Sequence, residues 1–219
     1  MDRGTGAVDR RQLAKEQPPK IGRWPRTDRR AARIGTVLAR RQPDLAVVLE
    51  NVHDAHNVGA VLRSCDAVGV PAVHLIYTDE EVPDAAFSRT TTAGAAKWVE
   101  VVRHESAMAC FAQLRAEGKT ILAAALTAES AGFYEQDLRR PTALVFGNET
   151  RGVTAETLAL ADGALVLPMM GMVESLNISV ACAVSLFEAL RQRLAGGDYA
   201  EPKWTEEERA ALMGEWLRR

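Results

Sequence analysis

No apolar run in this 219-residue chain approaches the roughly 20 residues that a membrane-spanning helix needs, so a soluble protein is expected. The first residues, Met1-Asp-Arg-Gly4, are charged or small rather than apolar, so no secretory signal is expected and a cytoplasmic location follows. Cysteine is scarce. Cys65, Cys110 and Cys182 are odd in number, far apart and without metal-ligand spacing, which argues against a disulfide framework and for reduced, mostly buried thiols. Several signature loops are missing as well. No GxGxxG follows the first strand-like run and no GxxxxGK[ST] occurs, so dinucleotide and P-loop nucleotide sites are unsupported. There is no GxSxG nucleophile elbow, and Ser175 has no histidine near it in sequence. His53 and His56 could bring two imidazoles together, but no third ligand accompanies them, so no metal is expected.

Hydrophobic residues make up 47% of the chain, enough to bury a sizeable core, and the length suits one α/β domain with short appendages. The net charge of -2 hides an asymmetry. Up to Arg41 there are twelve basic residues against four acidic ones, which leaves the remainder strongly acidic. A basic arm on an acidic body suggests a polyanionic partner, because lysine and arginine release counterions when they meet phosphates.

Residues 1–26 are rich in glycine and proline and read as a disordered arm. Between Thr27 and Arg41, Ala31, Ile34, Val37 and Leu38 form one stripe and arginines the other, which predicts a basic amphipathic helix within a segment 27–43. From residue 44 to 197, strand-like runs alternate with helical ones: strands at Leu45–Leu49, Val73–Ile76, Trp98–Val102, Thr120–Ala125, Ala143–Phe146 and Ala164–Leu167, with helices near 57–68, 105–117 and 154–160. Such alternation predicts an α/β fold, a mostly parallel sheet covered by helices on both faces. A charged helix over about 205–218 closes the chain in a C-terminal extension, 198–219.

The chain is organised around Pro168 to Leu194. A loop rich in Met, Gly, Ser and Asn leaves the strand at Ala164–Leu167 and enters a helix marked by Ile178, Ala181, Leu186 and Leu190, with Asn177 or Ser175 suited to cap it. A junction of that kind, at a strand's carboxyl end, is where α/β proteins usually bind ligands. Two other segments also follow predicted strands: Asn57 with Arg63, and Phe146-Gly-Asn-Glu-Thr-Arg-Gly152. Asn57 is either an N-cap or a pocket residue at the helix entrance, and Arg63, six residues on, does not share its face.

Taken in order, Asn57-Val-Gly-Ala-Val-Leu-Arg63, Phe146-Gly-Asn-Glu149 with Gly152, and Pro168-Met-Met-Gly-Met-Val-Glu-Ser-Leu-Asn-Ile-Ser179 resemble the three motifs of the SPOUT-superfamily RNA ribose 2′-O-methyltransferases. The resemblance runs from about Thr27 through Tyr199. Glu174 departs from it where relatives commonly carry glutamine. It implies a C-terminal deep trefoil knot, which ordinary topology rules would not suggest. It also implies a homodimer with the site near the interface, and S-adenosylmethionine as cofactor without metal, held by Ala124, Gly147, Leu167, Met172 and Leu176. The implied catalytic set is Arg63, Asn57, Glu149, Ser175 and Asn177, with Arg29, Arg30, Arg33, Arg40 and Arg41 on the RNA. Short basic extensions favour tRNA, with guanosine 18 of the D-loop as the implied ribose. The alternatives are another tRNA position, ribosomal RNA, or a catalytically silent RNA-binding protein of the same fold.

Overall fold

Strand β1 (Leu45–Glu50) is buried along its whole length, and its pleat sends Leu45, Val47 and Leu49 to one face of the sheet and Ala46 and Val48 to the other. Both faces must therefore be covered. The computed structural model describes residues 26–78 and 94–219; most of the proposed basic arm and the threonines at 90–92 lie outside them.

In chain order the elements are α1 (Arg26–Ala39), β1, α2 (Ala55–Val68), β2 (Ala72–Ile76), β3 (Glu100–His104), α3 (Ala107–Ala116), β4 (Thr120–Ala124), β5 (Ala131–Gly132), β6 (Thr142–Phe146), α4 (Ala155–Leu160), β7 (Gly163–Val166), α5 (Ile178–Gly196) and α6 (Glu206–Arg218). The seven strands form one sheet in the order β3-β2-β1-β6-β4-β7-β5, and every pairing is parallel. Parallel neighbours need crossovers, and α2, α3 and α4 supply those from β1 to β2, from β3 to β4 and from β6 to β7. One face packs on α2 and α5 through Val61, Leu62, Cys65, Cys182 and Leu186; the other packs on α3 through Cys110, Phe111 and Leu114. A third cluster, Ile34, Leu38 and Trp216 with Trp98 beside them, joins α1 to α6, so the two terminal extensions fold onto each other.

Three local expectations shift. The strand expected at Trp98–Val102 is displaced to Glu100–His104, because Trp98 leaves the sheet to pack against Trp216, ring centroids 5.0 Å apart and the planes tilted by 55°. Helix α2 begins before Asn57: Asp54 is its N-cap, accepting the His56 N–H at 2.8 Å, which places Asn57 in the first turn. Strand β5, two residues long, carried no periodic signal at all. All three cysteines are free and buried, as expected. Among the described residues no helix is long and apolar enough to cross a membrane.

Candidate active site

The carboxyl ends of β6, β4 and β7 open onto a cavity of about 840 Å³. The loop after β6 shapes one wall. Asn148 and Gly152 exchange both backbone hydrogen bonds at 2.9 Å, and Asn148 Oδ1 accepts the N–H groups of Thr150 and Arg151 at 2.9 and 3.0 Å. Gly152 takes φ +70°, which glycine adopts without strain. A Cβ on Gly147 would lie 2.1 Å from the carbonyl carbon of Gly152, so only glycine lets the loop close on its own start. Asn148 Nδ2 then ties the loop to β1 by donating to the Asn51 carbonyl at 2.8 Å.

The loop is anchored from below by Glu50, a buried carboxylate at the end of β1. It accepts Thr154 N–H at 2.9 Å, Thr154 Oγ1 at 2.6 Å and Thr157 Oγ1 at 2.5 Å. Burying a carboxylate is costly unless such donors surround it. Glu50 escaped the sequence reading, although a charge closing the apolar run Leu45–Leu49 was its visible mark.

Glu149 sits at the tip of this loop and accepts from Asn57 Nδ2 at 3.0 Å and from the Asp54 N–H at 3.3 Å. Asn57 Oδ1 in turn accepts from Asn177 Nδ2 at 3.1 Å. Asn177 Oδ1 caps α5 by accepting the N–H groups of Ser179 and Val180 and the Ser179 hydroxyl at 2.6 Å. The direction of this relay is fixed at both ends. A carboxylate can only accept and a helix N-terminus can only donate, so each amide has one orientation. Partial burial pushes the Glu149 carboxyl up, but the Asn57 hydrogen bond together with backbone N–H groups outweighs it and holds the group below the usual carboxylate range.

The relay joins three segments far apart in sequence, and two of its members, Glu149 and Asn177, line the cavity. Buried Asn57 supports them from behind. The profile of the SpoU rRNA Methylase family matches residues 44–187, which spans this site and most of the sheet. The chain belongs to the SpoU methylase family. A Thermus thermophilus protein named tRNA (guanosine(18)-2′-O)-methyltransferase is 48% identical over 194 residues, covering 89% of this chain and 98% of its own. Among solved structures, the Aquifex aeolicus TrmH/SpoU tRNA modifying enzyme superposes with TM-score 0.81 at 37% identity, covering 88% of this chain and 96% of that one. The Streptomyces viridochromogenes SpoU methyltransferase AviRb in complex with AdoMet gives TM-score 0.59 at 27% identity, covering 72% of this chain and 62% of its own.

Within this SpoU methylase site, Ala124, Gly147, Leu167, Leu176 and Ser175 line the cavity. Met172 does not: it is 99% exposed and lies outside the lining, so this chain's own cavity gives it no contact to make. Arg63 is exposed on the outer face of α2, which also carries His56 and Ala67, and makes no hydrogen bond or ion pair among the described residues. It is not brought to the relay. Arg29, Arg30, Arg33 and Arg40 are exposed, with Arg30 spending one donor on the Trp216 carbonyl at 3.2 Å. Arg41 corrects the sequence reading. Its side chain is fully buried, paired with Asp66 at 2.7 Å, donating to the carbonyls of Val70 and Trp98 and lying 5.2 Å over the Trp216 ring. A guanidinium buried among internal acceptors is out of reach of a phosphate, even though its Nε has no partner among the described residues.

Proposed function

We propose that this chain transfers a methyl group from S-adenosylmethionine to a ribose 2′-hydroxyl of tRNA, at guanosine 18 of the D-loop, in the cytoplasm. The observation that carries the reading is the Glu149–Asn57–Asn177 relay at the mouth of the cavity, in a chain whose relatives carry that name. The residues present fit the cofactor. The cavity is within the usual size for a small-molecule site, and its walls combine apolar side chains such as Phe146, Leu165 and Leu167 with the exposed backbone of a glycine loop. Ala124, Gly147, Leu167 and Leu176 would hold it, and when bound it supplies an electrophilic sulfonium methyl group. No step calls for a metal at this cavity.

Methyl transfer between two bound reactants depends on alignment, so most of what the protein contributes is placement. Asn57 fixes the Glu149 carboxylate and the Asn177 amide relative to each other, and Ser175 stands exposed at the rim, where a ribose would enter. Arg63 lies outside this chain's own cavity, so in this reading it meets the reacting ribose only where the homodimer brings it to the partner copy's site. Its guanidinium is always protonated, which suits it to stabilising the developing alkoxide or to a path in which a neighbouring phosphate draws off the proton.

The same reading assigns a homodimer and a trefoil knot formed by the segment between β7 and α5. Met170, Met172, Val173, Val180, Phe187 and Leu194 are all more than 40% exposed and run from that segment along one stripe of α5. An apolar face of that extent favours a protein partner, and a second copy covers it most simply. Incubating purified protein with unmodified tRNA and S-adenosylmethionine, then mapping ribose methylation, tests the function. A single methylated ribose at position 18 is expected; methylation only elsewhere, or none, refutes it.

A further inference from the structure

Two histidines and a cysteine that are scattered in sequence meet at the other end of the sheet. His74 on β2 and His104 at the end of β3 stack with ring centroids 5.2 Å apart, and His74 Nδ1 faces His104 Nε2 at 2.9 Å. Cys110 reaches them from α3, which packs over these strands. The two ring nitrogens and the thiol sulfur all lie within 4.8 Å of one another. His74 and Cys110 are buried and His104 is half-buried, so the group has one wet side. We propose that His74, His104 and Cys110 form a site for a thiolate-preferring divalent transition metal, Zn²⁺ above all, that clamps the edge strand β3 and helix α3 to β2.

The geometry needs little adjustment. Around a tetrahedral ion with bonds of about 2.05 Å to nitrogen and about 2.3 Å to sulfur, two nitrogens stand about 3.3 Å apart and nitrogen and sulfur about 3.6 Å. The imidazoles would have to open by a few tenths of an ångström from 2.9 Å, and the sulfur would close in. The metal would take the place of the hydrogen bond that the two ring nitrogens make in its absence. The half-buried edge leaves a fourth position for water. One thiolate with two imidazoles is a donor set that selects zinc, cobalt or copper over magnesium or calcium. Cys110 binds as thiolate, so its proton is released as the metal arrives, and the two histidines bind neutral.

Nearby charge agrees with a cation. Burial is the largest influence on His74, His104 and Cys110 and favours their neutral forms, but Glu117, at the C-terminus of α3, acts on all three as a negative charge, partly offset at His74 by Lys119, which with Gln113 holds its carboxylate. The site is separate from the methyl-transfer cavity: none of the three residues lines that cavity, and β1 stands between β2 and β6. It was hidden in the sequence because each ligand comes from a different element, at spacings that match no metal motif.

Cobalt is the probe. Untagged full-length protein, stripped with a chelator, is titrated with Co²⁺ and followed by absorbance. The expected result is one equivalent bound per chain, with a thiolate-to-cobalt charge-transfer band and strong tetrahedral visible bands that Zn²⁺ abolishes by displacement. Cys110→Ser should remove the charge-transfer band, and His104→Gln, at a half-buried position that tolerates change, should weaken binding by ~100-fold while leaving the circular dichroism spectrum unaltered. Zn²⁺ should raise the Tm of the parent protein and not that of His104→Gln. Absence of the band, its persistence in Cys110→Ser, or equal Zn²⁺ stabilisation of parent and His104→Gln overturns the site.

Discussion

Asn57→Asp isolates the relay without changing its shape. The introduced carboxylate keeps an acceptor for Asn177 Nδ2 but replaces the amide that donates to Glu149 at 3.0 Å with a second negative charge. Two unit charges about 4 Å apart repel by ~4 kcal/mol at an effective dielectric of 20 and ~1 kcal/mol in bulk water. Position 57 is buried but Glu149 is exposed on its outer side, so screening sets the cost between those limits, at about 2 kcal/mol. That is a rise of ~1.5 pKa units for one carboxyl of the pair. The sign of the pH dependence then inverts. In the parent protein Glu149 lies below its ordinary value, so its contribution to stability is present above the unfolded pKa and is lost as pH falls through the folded one. In the variant one carboxyl is raised, so the folded state holds an extra proton between about pH 4.5 and 6 and stability falls as pH rises through that window. Thermal melts of both proteins at pH 5 and pH 7.5 decide it. Between pH 5 and the upper end of that window about 1.4 kcal/mol is lost, so the Tm deficit of the variant should grow by ~3–5 °C between the two, and because other titrating groups are common to both proteins, they cancel in the difference. A deficit that is the same at both pH values refutes the relay as drawn.

Calorimetry with a chelator present should show S-adenosylmethionine binding to the parent protein; Gly147→Ala, whose Cβ would meet the backbone of Gly152 and Val153 at 2.1 Å, should abolish it and cost more than ~4 kcal/mol of stability. Arg41→Met should lower stability by about 3 kcal/mol in urea denaturation, by stranding Asp66 and two buried carbonyls, yet leave tRNA affinity unchanged. Replacing exposed Arg29 and Arg33 by Gln should do the reverse, weakening tRNA binding in filter assays and flattening its salt dependence by ~2 in logarithmic slope with Tm intact. Arg63→Ala, at an exposed position, should leave stability within ~0.5 kcal/mol and cofactor binding intact, and lower single-turnover methyl transfer by at least ~100-fold. Arg63→Lys then separates charge from the planar fork: recovery means alkoxide stabilisation suffices, and a rate as low as Arg63→Ala means geometry is needed.

Local pattern carried the parts of the fold that local physics decides. The apolar run at β1 and the mostly apolar runs at β2, β4 and β6 demanded a sheet covered on both faces, and α1, α3 and α6 fell within a few residues of their expected bounds. The three segments that carry the relay could be picked out as well, because each follows a predicted strand, but the roles of Asn57, Glu149 and Asn177 came from the resemblance to the RNA ribose methyltransferases, since Asn57 by itself reads equally as a helix cap. What failed were questions decided by partners distant in sequence. Trp98 reads as a strand residue until Trp216, more than a hundred residues later, draws it out of the sheet. Arg41 closes an arginine-rich stretch and looks like its neighbours; only Asp66 and the carbonyls of Val70 and Trp98 separate it from them.

The same reasoning explains why charge counting overstated the basic arm's reach while still finding it. Burying a guanidinium is expensive unless its donors are matched, and the fold meets most of that demand for Arg41 by giving both terminal nitrogens acceptors, one carboxylate and two carbonyls, and laying the group over an indole face, while Nε stays buried without a partner among the described residues. The result fastens the junction between α1 and β1 to α2 and to the α6 tryptophan. Arg41 therefore holds in place the helix that displays Arg29, Arg30, Arg33 and Arg40 to solvent. Neutralising Arg41 and neutralising its exposed neighbours are then different perturbations, one of scaffold and one of surface, although in the sequence the two kinds of arginine stand side by side.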